Sequence, residues 1–352
     1  MTSEVATSAT PAATSRQRFA GPIWTLVALA PVIAEVLSGS TRTSILFVLI
    51  PEMMVWGVGA LLCRELVRRW KAGGVSLLLL GLSLSIAEEF LIQQTSIAPL
   101  PFAGAHADYG RMGGINLVYL LFMLGFESVW VVVVPVQVTE LIFQARRELP
   151  WLRMRGWIVS SVLFLIGCRI AWYGWTQQAR PRLGAAPYHP PLAFLASGFA
   201  AILALIVLTY LLRNVGHPVA GGRTAPAWLA GLAAFVLGAA WFLLISQIFI
   251  PKPWVAPNQA LAAGAAWAVL AFALFSWWTS RRAWSDVHRF CASWGATLAC
   301  QAMPYISIAS WPRIDVIGKV IFDAGAFVLF IWLGAKTLRR ENSQLAQARA
   351  AM

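Results

Sequence analysis

The sequence predicts an all-α fold, a polytopic bundle of transmembrane helices. Hydrophobic residue types make up 59% of the 352 residues and charged types only 12%, about half the ~25% typical of a soluble domain. Apolar runs near the ~20 residues that a bilayer requires recur along the whole chain. Basic residues gather in alternate loops. The formal charge is +13, and the tendency of cytoplasmic loops to collect Lys and Arg explains that excess without nucleic acid as a partner. The composition excludes a soluble enzyme, a secreted disulfide scaffold and a DNA-binding domain.

Residues 1–19, rich in Ser, Thr and Ala, read as a disordered tail. Arg16 and Arg18 precede an apolar run, but Glu35 interrupts it and no small-residue cleavage site follows, so an uncleaved first span is expected. About ten spans follow: 21–38, 44–63, 75–94, 115–143, 157–176, 191–212, 226–250, 258–279, 288–308 and 316–336. The ninth contains His288, Arg289, Gln301 and Pro304 and reads either as a span or as a re-entrant segment. The transmembrane region is thus 20–338, followed by a cytoplasmic tail at 339–352. With both termini cytoplasmic, nineteen basic residues fall inside. Only Arg42, Arg111, Arg180, Arg182, Lys252 and Arg313 fall outside, with Arg169 and Lys319 within spans. The expected location is the bacterial inner membrane, with the lipid bilayer as the first partner.

Eighteen Trp suit interfacial belts, while Trp56, Trp130, Trp241 and Trp267 lie deeper and are expected to pack. Cys63, Cys168, Cys291 and Cys300 form no CxxC pair and read as small buried hydrophobes. The loops 95–114 and 177–190, rich in Pro and Gly, are ordinary connections or caps over a site.

Ionisable groups inside spans carry the chemistry, because each costs roughly 2.5–3.5 kcal/mol at mid-bilayer unless it has a partner or a cavity. Glu35, Glu52, Glu88, Glu89, Glu127 and Asp323 all fall between the mid-plane and the outer surface, as do Arg169 and Lys319. Six carboxylates sharing a cavity with two cations cannot all remain ionised, so some take protons or the site holds a cation. Ser85, Glu88, Glu89 and Gln93 fall on one helical sector, with Gly81 a turn earlier to admit a close neighbour. Glu127 stands in an apolar run before Pro135, which is expected to kink its helix. Lys319 and Asp323 are spaced i, i+4 and can pair on their own helix. Arg64, Glu65, Glu140 and the run 284–289 read as structural salt bridges with a helix cap at Ser285 or Asp286. No span pairs two His and no H-E-x-x-H occurs, so neither a metal nor another cofactor is expected.

The stretches Pro51–Arg69, Gly81–Gln94 and Trp284–Cys300 resemble a broad family of uncharacterised bacterial multi-span proteins. That resemblance implies an architecture and no activity. A weaker likeness is to the CAAX-protease and bacteriocin-processing membrane family and its EExxxR motif. Glu88-Glu89 matches its carboxylate pair, Gln93 stands in the Arg position and Trp130 in a His position after Phe126. What carries over is Glu88 or Glu89 as a water-activating base.

Three functions are therefore expected. The first is a carrier for protons, cations or a small cationic solute. It would bind through Glu52, Glu88, Glu89, Gln93, Glu127 and Asp323, with Arg169 and Lys319 tuning their charge. The second is an intramembrane hydrolase in which Glu88 and Glu89 are catalytic. The third is a non-catalytic subunit or scaffold whose buried charges specify helix pairing. The protein partner is not legible.

Overall fold

The computed structural model describes residues 20–101, 106, 108–217, 221 and 224–350. The expected tail at 1–19, with Arg16 and Arg18, and the basic-loop residue Arg223 lie outside them. Among the described residues ten helices run in order: α1 (Ala20–Val36), α2 (Thr43–Arg69), α3 (Gly74–Ile92), α4 (Leu117–Ile142), α5 (Met154–Arg182), α6 (Leu192–Leu211), α7 (Ala227–Phe249), α8 (Pro257–Thr279), α9 (Asp286–Ala302) and α10 (Arg313–Ala350). Among the described residues, strand is confined to a hairpin, β1 (Arg111–Met112) with β2 (Ile115–Asn116), antiparallel with Arg111 opposite Asn116. Gly113 (φ +57°) and Gly114 (φ +87°) make its two-residue turn, the positive-φ pair such a tight hairpin requires.

Among the described residues, eight helices are long and apolar enough to cross a membrane; α1 and α9 are shorter. The 17 residues of α9 span about 25 Å, less than the ~30 Å hydrocarbon core. The helix gives way at Met303 to two 3₁₀ turns around Pro304, so the expected span at 288–308 is a shorter helix with an irregular end. It packs chiefly on α7 and also touches α1, α4 and α10. At the other expected boundary, α10 runs through residue 338 without a break.

The bundle is built around α4, which packs on α1, α2, α3, α7, α8, α9 and α10. The apolar windows of α5, α6 and α8 are only 11% buried, against 56% for α4, so those three helices form the periphery that faces lipid. Close crossings are set by small residues. A Cβ at Gly81 would stand 2.9 Å from Ser128 Cα, and one at Gly57 would stand 2.1 Å from the Val27 carbonyl oxygen. Any side chain there would force α3 from α4, or α2 from α1.

An aromatic column fills the space between α4 and α7. Phe122, Phe126 and Trp130 stack one turn apart with ring centroids 5.5 Å apart, and Phe242 packs against all three. The indoles are satisfied across helices, as buried Trp requires. Trp130 Nε1 donates to Ala296 O at 2.8 Å, Trp241 Nε1 to Phe122 O at 3.0 Å and Trp267 Nε1 to Leu237 O at 3.0 Å.

One end of the bundle is locked by charge, and we call it the basic end. Arg64, 1% exposed, donates to Glu65 at 2.7 Å, Glu140 at 3.1 Å and the carbonyls of Leu149 and Arg147 at 2.8 and 2.5 Å. Its guanidinium lies 3.6 Å from the Trp151 ring centroid. Arg68 pairs with Glu140 at 2.5 Å, and Glu65 accepts the backbone N–H groups of Trp151 and Leu152. These residues form the structural salt bridges that their spacing suggested. The start of α9 is tied by His288 Nδ1, which accepts from the Ser285 N–H at 3.2 Å.

Candidate functional site

Four helices bring glutamates into the interior, and each does so at a π-helical turn. The π turns are Val32–Val36 in α1 around Glu35, Met53–Gly57 in α2 directly after Glu52, Ala87–Ile92 in α3 around Glu88 and Glu89, and Glu127–Val133 in α4. The turns of α1 and α2 both contact that of α4. A π turn inserts one residue and rotates the side chains before it relative to those after it, and such bulges concentrate at functional sites. Prolines adjoin three of the four: Pro31, Pro51 and Pro135. Pro135 has no N–H for the ladder, and the π turn of α4 ends at Val133, two residues before it.

Packing of α1, α2 and α3 around the π turn of α4 brings the five glutamates to one region of the bundle. Glu35 stands in range of Glu52, Glu88 and Glu127, and Glu89 in range of Glu88 and Glu127. Tyr119 lies within range of Glu35, Glu89 and Glu127. Glu52, Glu88, Glu89 and Glu127 are at most 3% exposed, while Glu35 is half-buried. Glu35 is therefore the accessible end of the group.

Their hydrogen bonding is incomplete. Glu52 Oε1 accepts from the Thr41 hydroxyl. Glu89 Oε2 accepts from Thr95 Oγ1 at 2.7 Å and Ser96 Oγ at 2.5 Å. Four buried carboxyl oxygens have no partner among the described residues: Glu52 Oε2, Glu89 Oε1 and both oxygens of Glu88. The Ser85 hydroxyl stands beside Glu127 as its hydrogen-bond partner. Unpaired buried carboxylates are among the costliest groups a protein can hold, so a proton or a cation is needed to neutralise them.

The two expected counter-cations are elsewhere. Arg169 is exposed on α5, with its guanidinium 4.6 Å from the Trp172 ring centroid and 5.4 Å from that of Tyr173. It faces the periphery. Lys319 is buried and bound to Asp323, with Nζ at 2.6 Å from both carboxylate oxygens and 3.1 Å from Gln301 O. Gln301 Nε2 (3.2 Å) and Tyr305 OH (2.8 Å) complete the Asp323 shell. Lys319 and Asp323 thus form a separate, self-neutral pair. Cys300 stands between the two groups, in range of Glu35, Lys319 and Asp323, with its thiol 3.5 Å from Ile33 O. Gln93 is half-buried, and no side-chain bond joins it to Glu88 or Glu89 among the described residues.

The end of the site remote from the basic end is covered. Gln94 adopts a left-handed φ of +63° and turns the chain back, so that Thr95 and Ser96 reach Glu89 and residues 94–98 are buried. Arg111 donates to the carbonyls of Ile97, Ala98 and Gly114, and Arg180 donates to Pro99 O at 2.8 Å. The group is therefore capped by residues 94–100 rather than open at that end. Thr41, Thr95, Ser96, Tyr119 and Cys300 were not legible as site residues. The only sequence signal was the polar run Gln94-Thr95-Ser96 at the close of an apolar span.

The pattern of an uncharacterised membrane protein family matches residues 25–314. The chain belongs to that family. Its matched region spans all five glutamates and stops just short of Lys319 and Asp323. No curated protein matches the chain, and no solved structure matches it. The likeness to CAAX-type membrane proteases is not supported by the family match. Its geometry also fails: Trp130, in the His position, spends its only donor on Ala296 O, and an indole N–H cannot ligate a metal. Among the described residues, no group of three His, Cys, Asp or Glu side chains is arranged to hold a metal ion.

Proposed function

We propose that this multi-span membrane protein is a carrier that takes up protons through the five-glutamate group. One observation supports this reading above the others. Among the described residues, four carboxyl oxygens of the group are buried without hydrogen-bond partners, and the two candidate counter-cations lie elsewhere, one at the periphery and one bound to Asp323. A scaffold gains nothing from such a group, because buried charges that specify pairing are themselves paired. A hydrolase needs its base oriented on a water, and among the described residues the Gln93 side chain makes no bond to Glu88 or Glu89, while its backbone N–H is given to Glu88 O. A carrier requires sites that can be filled and emptied. Glu35, less buried than the other four, is the point of access, and Glu52, Glu88, Glu89 and Glu127 are the interior acceptors. On this reading the basic end faces the cytoplasm of a bacterial inner membrane.

The test is proton flux in proteoliposomes carrying a trapped pH-sensitive dye, driven by a potassium diffusion potential. Wild type is expected to carry current above empty vesicles, Glu88→Gln to fall to the empty-vesicle level, and Arg169→Gln to match wild type. Glu88→Gln flux equal to wild type, or wild-type proton flux no greater than empty vesicles, would overturn the proposal.

A further inference from the structure

We propose that the basic end carries a second site, which holds a phosphate group that brings its own hydrogen-bond donor, as a phosphatidylglycerol headgroup or dihydrogen phosphate does. A cavity of about 240 Å³ opens there between the end of α4, the start of α9 and the last turns of α10. That volume is below the roughly 300–1,000 Å³ of sites for drug-sized ligands, so it suits a small headgroup or ion. Three guanidiniums line it, those of Arg147, Arg289 and Arg340, against the carboxylates of Asp286 and Glu341.

These groups are unequally satisfied. Asp286 is occupied, pairing with Arg147 at 2.5 Å and accepting from Gln144. Arg340 gives one N–H to Leu141 O at 3.2 Å. Arg289, on α9, makes no side-chain hydrogen bond or ion pair among the described residues, although Arg147 and Arg68 stand near it as like charges and Asp286 and Glu140 as opposite ones. Glu341 Oε2 is buried without a donor. The cavity thus offers a free guanidinium fork, spare donors on Arg340 and one unfilled acceptor. Phosphate oxygens match the fork, which binds them in a planar two-point geometry. An adjoining hydroxyl matches Glu341. A choline headgroup, which has no donor, leaves Glu341 unfilled. Basic pockets between helices at the cytoplasmic level are where acidic headgroups are held.

The test is native mass spectrometry of the purified protein titrated with phosphatidylglycerol against phosphatidylcholine, together with calorimetry against inorganic phosphate. Arg289→Gln and Arg340→Gln, on different helices, are measured in parallel after a thermal melt shows each folded. Retention of phosphatidylglycerol over phosphatidylcholine, weakened about tenfold in either variant by the loss of a charge-assisted hydrogen bond, supports the site and makes lipid its source. Binding of inorganic phosphate alone, weakened in the same variants, supports the site with free phosphate as the source. Absence of binding by either probe, or equal affinity in wild type and both variants, overturns it.

Discussion

Replacing Arg64 with Met is expected to cost about 3–5 kcal/mol, the range for removing one partner of a buried ion pair. Arg64 is 1% exposed and joins α2 to Glu140 on α4 and to the carbonyls of the connection that leads to α5. Methionine fills a similar length but satisfies none of those acceptors. Arg68 continues to hold Glu140, and the Trp151 and Leu152 N–H groups continue to hold Glu65, so the damage centres on carbonyls left without a donor. Lysine restores the charge but not the fork, and is expected to recover only part of the loss. Thermal unfolding of the purified protein in detergent measures both. A Met variant with the wild-type midpoint would mean that this network does not fix the basic end.

The two acidic groups should respond in opposite ways to neutralisation. Asp323→Asn strands the Lys319 ammonium, which is 1% exposed and bonded to both Asp323 oxygens. A loss of about 3–5 kcal/mol is expected. Replacing both members, Lys319→Met with Asp323→Leu, should recover most of it, since no charge is then left unpaired. Glu88→Gln removes a carboxyl with no hydrogen-bond partner, and its stability is expected to lie within about 1 kcal/mol of wild type or above it. The contrast in melting midpoints tests whether only one of the two groups is internally balanced. Equal losses for Asp323→Asn and Glu88→Gln would place a partner on Glu88 that the structure does not contain.

The sequence carried more of the fold than of the site. Spans such as Leu192–Leu211 and Ala227–Phe249 are uninterrupted apolar runs, and hydropathy alone places them. α1 and α9 were harder because a helix enclosed by others need not reach across the whole hydrocarbon layer by itself. Glu88, Glu89 and Glu127 were conspicuous because charge inside a span is rare and expensive. The pairing of Lys319 with Asp323 followed from spacing on one helix. Arg169 misled because depth along a helix says nothing about which way the side chain faces. The π turns add to that difficulty, since each one rotates the register at the residues in question and only the prolines hint at them. Thr95 and Ser96 escaped because a single left-handed residue, Gln94, folds a loop back into the core.

The central claim is that the five glutamates act as one coupled group. Infrared difference spectroscopy of the purified protein, following the carboxyl bands across a pH titration, tests it most directly. Interacting carboxyls titrate as a set. The account predicts that Glu88→Gln removes one carboxyl from the titration and also shifts the transitions of those that remain, with Glu127→Gln doing the same. Removal of one carboxyl's signal with every other transition unchanged would contradict it.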